Sequence, residues 1–184
     1  MRLVLALLLL AATGVQEGAD YHDEDLDAKA PGPRWRLQTA IPEAPALRGA
    51  YVFPRTDGAK DRSSLITFVL DEEPGKPLQP YVEDGLKELQ VAPLSFRITK
   101  SGPFKSKDKT AYRAEYTDKD GVRHFLQVAT ETPAGGVLVA VLQAPDAEAY
   151  GEDVPIFLAF VEKMAPAKPK PVATPAVTGK KKGK

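Results

Sequence analysis

The 184-residue chain contains no cysteine. That absence excludes disulfide stapling, thiolate zinc ligation, thiol nucleophiles and a lipid-modified N-terminal cysteine. Asparagine is absent too, so there is no N-glycosylation acceptor. Histidine occurs only at His22 and His124, and tryptophan only at Trp35. Neither sign of charge prevails: 25 Lys and Arg balance 25 Asp and Glu, which removes the basic excess of a specific nucleic-acid binder. The length suits one domain with tails.

The balance hides an asymmetry between the two ends. Glu17, Asp20, Asp23, Glu24, Asp25 and Asp27 cluster near the start, whereas the last residues read Lys180-Lys181-Lys182-Gly183-Lys184. Before the acidic cluster, Met1-Arg2 and the apolar residues 3–12 lead to the small residues Ala12 and Gly14. This is the pattern of a secretory signal cleaved after Gly14, with residues 1–14 removed and the protein exported to the periplasm or beyond the cell. The apolar run is about half of the roughly twenty residues a membrane-spanning helix needs. Residues 15–33 read as a flexible acidic lead-in closed by Pro31-Gly32-Pro33. His22 among its acids reads as part of a solvated linker, because metal coordination needs preset distances that a flexible segment lacks.

The folded domain is expected over residues 34–164, with Trp35 as a core or edge anchor. Residues 50–53 read as a strand stopped by Pro54, and residues 65–70 (LITFVL) as a central strand. Pro77 or Pro80 can open a helix, in which Leu78, Val82, Leu86 and Leu89 form a stripe. Gly85 lies inside that helix at a cost of about 1 kcal/mol relative to alanine. Leu94, Phe96 and Ile98 alternate with polar residues as a half-buried strand does, and residues 101–109 read as a basic loop.

The stretch 110–164 organises the rest. Asp118-Lys119-Asp120-Gly121 and Pro133-Ala134-Gly135-Gly136 supply two tight reversals, so three strands form an antiparallel meander. Residues 137–142 are apolar on both faces, which predicts a central strand covered on both sides. Val154, Phe157, Leu158 and Val161 then recur at helical spacing, a stripe expected to cover the sheet through Val139 or Val141. After Met164, residues 165–184 alternate Pro, Ala and Lys and read as a disordered, extended tail. Its lysines Lys168, Lys170, Lys180, Lys181, Lys182 and Lys184 read either as a weak contact with an anionic surface or as a solubilising appendage.

This order of elements, an N-terminal Trp-containing strand, a β-rich run before a Pro-flanked helix, the meander and a closing helix "FLAFVEKM", resembles the PsbP-like superfamily. Ala114, Tyr116, Gly121 and Phe157 are among the pattern positions. That superfamily includes the extrinsic P subunit of photosystem II, a nuclear Ran-binding import factor and many exported bacterial proteins of unknown function. The resemblance implies an α+β fold in which helices sandwich an antiparallel sheet, and a role in binding or assembly. No site residue carries over, because the members bind unrelated partners through different surfaces.

No constellation in the chain carries catalytic chemistry. His124 shares strand parity with Leu126 and Val128 and reads as structural. Ser63-Ser64 lacks the glycines of a nucleophile elbow, and Asp71-Glu72-Glu73 reads as a solvated loop. The expectation is an exported, monomeric, non-catalytic interaction or assembly domain with no cofactor and no metal, whose partner is an envelope protein or surface. The alternative is a small-ligand carrier with an apolar pocket between sheet and helix; a hydrolase ranks below both.

Overall fold

The computed structural model describes residues 16–39, 46–57, 60–106 and 109–166. In chain order the elements are β1 (Gln16–Glu17), β2 (Tyr21–His22), β3 (Leu26–Ala28), β4 (Arg36–Gln38), β5 (Gly49–Asp57), β6 (Lys60–Asp71), α1 (Leu78–Gln90), β7 (Arg97–Ser106), β8 (Lys109–Thr117), β9 (His124–Glu131), β10 (Val137–Ala144), α2 (Ala147–Lys163) and β11 (Ala165–Pro166). Eight strands form one antiparallel sheet in the order β1-β4-β5-β6-β10-β9-β8-β7, and a three-stranded sheet has the order β11-β3-β2. The architecture is α+β with one helix on each face of the large sheet, as expected.

Strand parity divides the core in two. On one face Ile66, Phe68, Leu126, Val128, Leu138, Ala140 and Leu142 meet Phe157, Phe160 and Val161 of α2. On the other, Tyr112, Ala114, Tyr116, Phe125, Ala129, Val137, Val139 and Val141 share a cluster with Leu78, Val82, Leu86 and Leu89 of α1. Strand β10 lies between β6 and β9 and is buried on both faces, as its unbroken apolar run predicts. The stripe of α2 covers the sheet, but against Leu138, Ala140 and Leu142. Val139 and Val141 point to the opposite face, because successive strand residues alternate.

Both expected reversals of the meander form, with Gly121 at φ 73° and Gly135 at φ 87°, conformations that glycine adopts without a Cβ penalty. Helix α2 starts at Asp146, whose carboxylate accepts from the Ala149 backbone N–H at 2.9 Å, satisfying one of the unpaired donors of the first turn.

Four further expectations need correction. Residues 16–33 are not a flexible lead-in but part of the fold, since Tyr21, Leu26 and Ala28 are buried in the α2-side core. Their acids work locally: Asp23 Oδ1 accepts from the N–H groups of Asp25 (2.8 Å) and Leu26 (2.7 Å), closing the β2–β3 turn. Acidic composition concealed two apolar anchors placed one turn apart. The domain also runs past Met164, because β11 pairs with β3, Ala165 opposite Asp27 and Pro166 opposite Leu26. Pro54 does not stop its strand, since β5 continues to Asp57. Strand β4 pairs β5 only through Ala50, Tyr51 and Val52, so Pro54 falls where β5 has β6 as its sole neighbour. A residue without an N–H is tolerated at such an edge.

Residues 101–106, finally, are the second half of β7 and not a loop, with Ser101 opposite Ala114 and Pro103 opposite Tyr112. An outermost strand accepts lysine, glycine and proline that a central strand would not, so its sequence loses the alternating signature.

Candidate functional site

The residues singled out in the sequence scatter over the molecule. Trp35 is a core anchor, its ring 5.3 Å from that of Phe53. His22 is exposed and pairs with Asp27 across the β2–β3 turn. His124 opens β9 with its ring 5.4 Å from Tyr150. Ser64 is buried and accepts from Arg55 Nε at 3.1 Å, which leaves Ser63 alone exposed. Glu72 belongs to an ion-pair cluster in which Arg48 reaches Asp25 at 3.2 Å, Glu72 at 3.1 Å and Asp23 at 3.7 Å. That cluster ties the acidic N-terminal segment to the sheet through Asp23 and Asp25. Among the described residues no group of three or more His, Asp or Glu is arranged to hold a metal. The tail lysines Lys168, Lys170, Lys180, Lys181, Lys182 and Lys184 lie outside the described residues.

Two features that the sequence did not single out have the geometry of binding sites. The first is an edge of the sheet that no described strand covers. Strand β1 ends one side with two residues, whereas the other edge is β7, ten residues long. Register slips between Ile98 and Lys100, a bulge at Thr99 whose hydroxyl donates to the Glu115 carbonyl at 3.0 Å. Arg97, Lys100 and Lys105 are exposed along this edge and form no ion pair with a described residue. On the neighbouring strand Arg113 pairs with Glu115 at 3.0 Å and stacks over Phe104 at 5.8 Å, so Glu115, opposite Lys100, is engaged already.

The second is a cavity of about 120 Å³ beneath α1, lined by Pro74, Lys76, Tyr81, Val82, Asp84, Gly85, Glu88 and Gln127. Gln127 lies on β9 at the same parity as Phe125 and Ala129, opposite Ala114 on β8 and Val141 on β10. It is 2 % exposed, and its side-chain carbonyl oxygen has no hydrogen-bond partner. Burial pushes the Tyr81 hydroxyl up from its ordinary pKa, reinforced by the charge of Asp71 and a hydrogen bond to it. At the rim, Lys76 (2.7 Å) and Lys87 (3.0 Å) hydrogen-bond Asp84 and hold its carboxyl down to about 2. Glu88 forms no ion pair with a described residue. Each half of this site left a separate signal in the sequence, a glutamine within an apolar strand and a glycine inside a helix, but not their juxtaposition.

No family model and no curated protein matches the sequence. Solved structures do match. LpqN, involved in cell envelope biogenesis of Mycobacterium tuberculosis, shares 18% identity over 85% of this chain and 93% of its own, with a TM-score of 0.52. Cyanobacterial PsbP (CyanoP) from Synechocystis sp. PCC 6803 shares 12% identity over 86% of this chain and 99% of its own, with a TM-score of 0.58. At these identities the likeness concerns backbone architecture, and on that footing the chain has a PsbP-like α+β fold.

Proposed function

We propose that the chain is an exported, non-catalytic interaction or assembly domain of the cell envelope, and that it binds an acidic, extended segment of a partner protein along β7. The observation that carries this reading is the long outer strand with three cations that form no ion pair with a described residue. An outer strand exposes a row of N–H and C=O groups, and an added strand satisfies them through main-chain hydrogen bonds. Arg97, Lys100 and Lys105 disfavour pairing between two copies of the same edge, which would bring like charges together, and favour an acidic strand. The envelope setting is supported by the leader-like residues 1–14 and by the role of the structural neighbour LpqN. The tail lysines supply a second, weaker contact in this reading, to an anionic surface.

A photo-crosslinkable residue at Ser101 tests it. In an envelope extract the probe should capture one defined partner, and the crosslinked peptide should be acidic. Reversing Arg97, Lys100 and Lys105 to Glu should reduce that capture at least tenfold, whereas truncation after Pro166 should leave it intact. Capture spread over many proteins, or insensitive to the reversal, rejects the edge. Loss of retention on anionic vesicles on truncation alone would assign the surface contact to the tail.

A further inference from the structure

We propose that the cavity beneath α1 is a binding site for a small primary ammonium compound, with Gln127 as the hydrogen-bond acceptor at its floor and Glu88 as the counter-charge at its rim. The site is independent of the β7 edge, which lies at the outside of the sheet.

The argument starts from a residue that helix physics disfavours. Gly85 sits inside the 13-residue helix α1, where glycine is the poorest helix former after proline. It continues the buried stripe of Leu78, Val82 and Leu89, so a side chain here would point toward the sheet. Across from it the sheet presents Gln127, with Ala114 opposite it on β8 and Ala129 two residues on. Of these positions, Gly85 and Gln127 line the cavity. Close approach of helix to sheet is the usual reason for a helix glycine, yet Gly85 lines about 120 Å³ of open space.

The polar lining then chooses the ligand. A buried amide oxygen without a partner forgoes a hydrogen bond that a ligand donor would restore. Asp84 is satisfied by two lysines, which leaves Glu88 as the available carboxylate. Lys76, Asp84 and Glu88 together contribute one net negative charge to the lining. An unpaired neutral acceptor and an uncompensated carboxylate suit a ligand that is a cation and carries several N–H donors. An ammonium group has three. The Tyr81 ring in the wall adds a face on which a cation is attracted. A cavity of 150 Å³ admits a six-carbon ring, so this one takes a molecule of up to about six heavy atoms.

The test is a titration of the protein in phosphate buffer, followed by NMR through the side-chain amide resonances of Gln127. Ethanolamine is the probe, with ethylene glycol as its neutral counterpart and acetate as an anion. Ethanolamine should give a saturable shift, and the other two none. Gly85→Ala should weaken binding at least tenfold, because its methyl group enters the cavity that Gly85 lines. Gln127→Leu should abolish binding with the fold retained, and Glu88→Gln should remove the preference for ethanolamine over ethylene glycol. A non-saturable shift, equal response to ethylene glycol, or a Gly85→Ala variant that binds as tightly as the native chain would each overturn the proposal.

Discussion

Replacement of Leu26 by alanine tests whether the acidic N-terminal segment belongs to the domain. Leu26 is fully buried in the cluster that contains Tyr21, Phe68, Phe160 and Met164, and it lies on β3, the middle strand of the small sheet. Alanine removes three side-chain carbons, which at ~0.8 kcal/mol each forfeits about 2.4 kcal/mol of transfer free energy. The cavity left behind adds to that, since the surroundings relax only in part, giving about 2.5–4 kcal/mol in total. For a domain of this size such a loss lowers the melting temperature by about 5–15 °C. Urea unfolding followed by fluorescence of Trp35 reads it directly, because that single indole is 2 % exposed in the folded state. The midpoint should fall with the slope unchanged, as expected when the same surface is exposed on unfolding. A loss below about 1 kcal/mol would mean that the segment detaches before the domain unfolds, and would refute its place in the core. Glu24→Ala, at an exposed position in the same turn, is the control and should change the midpoint little.

Two further outcomes follow from backbone geometry and charge. A Cβ at Gly136 would stand 2.8 Å from the Asp71 carbonyl oxygen, so Gly136→Ala should cost about 1–3 kcal/mol. Gly121→Ala, with open space but a positive φ, should cost about 1–2 kcal/mol; a Gly136→Ala loss well below about 1 kcal/mol in urea unfolding would contradict the close approach. Stability should also fall in acid. Asp146 is held below the usual carboxylate range first by the Ala149 N–H and then by Arg62; burial opposes the shift at Asp23, yet the Tyr21 hydroxyl and two backbone N–H groups win. Because these folded-state values lie below the unfolded ones, their stabilisation is complete above about pH 4 and is lost as pH falls through the depressed values. A urea midpoint that stays flat from about pH 6 down to about pH 2 would show that these carboxylates contribute nothing to folding.

Much of the architecture follows from local pattern. Residues 137–142 read as a strand buried on both faces, the glycines at 121 and 135 mark turns, and Leu78, Val82, Leu86 and Leu89 specify a covered helix face. Period and turn chemistry act within a few residues, so one sequence suffices to show them. Three things were decided only in three dimensions. Leu26 and Tyr21 gain their apolar partners from Phe68 and Phe160, which are remote in sequence, so an acidic segment became core. The run 101–106 became an outer strand because β8 was there to pair with it on one side only. The cavity exists because Gly85 of a helix and Gln127 of a strand, 42 positions apart, were brought to the same layer, a juxtaposition that neither residue's neighbours encode.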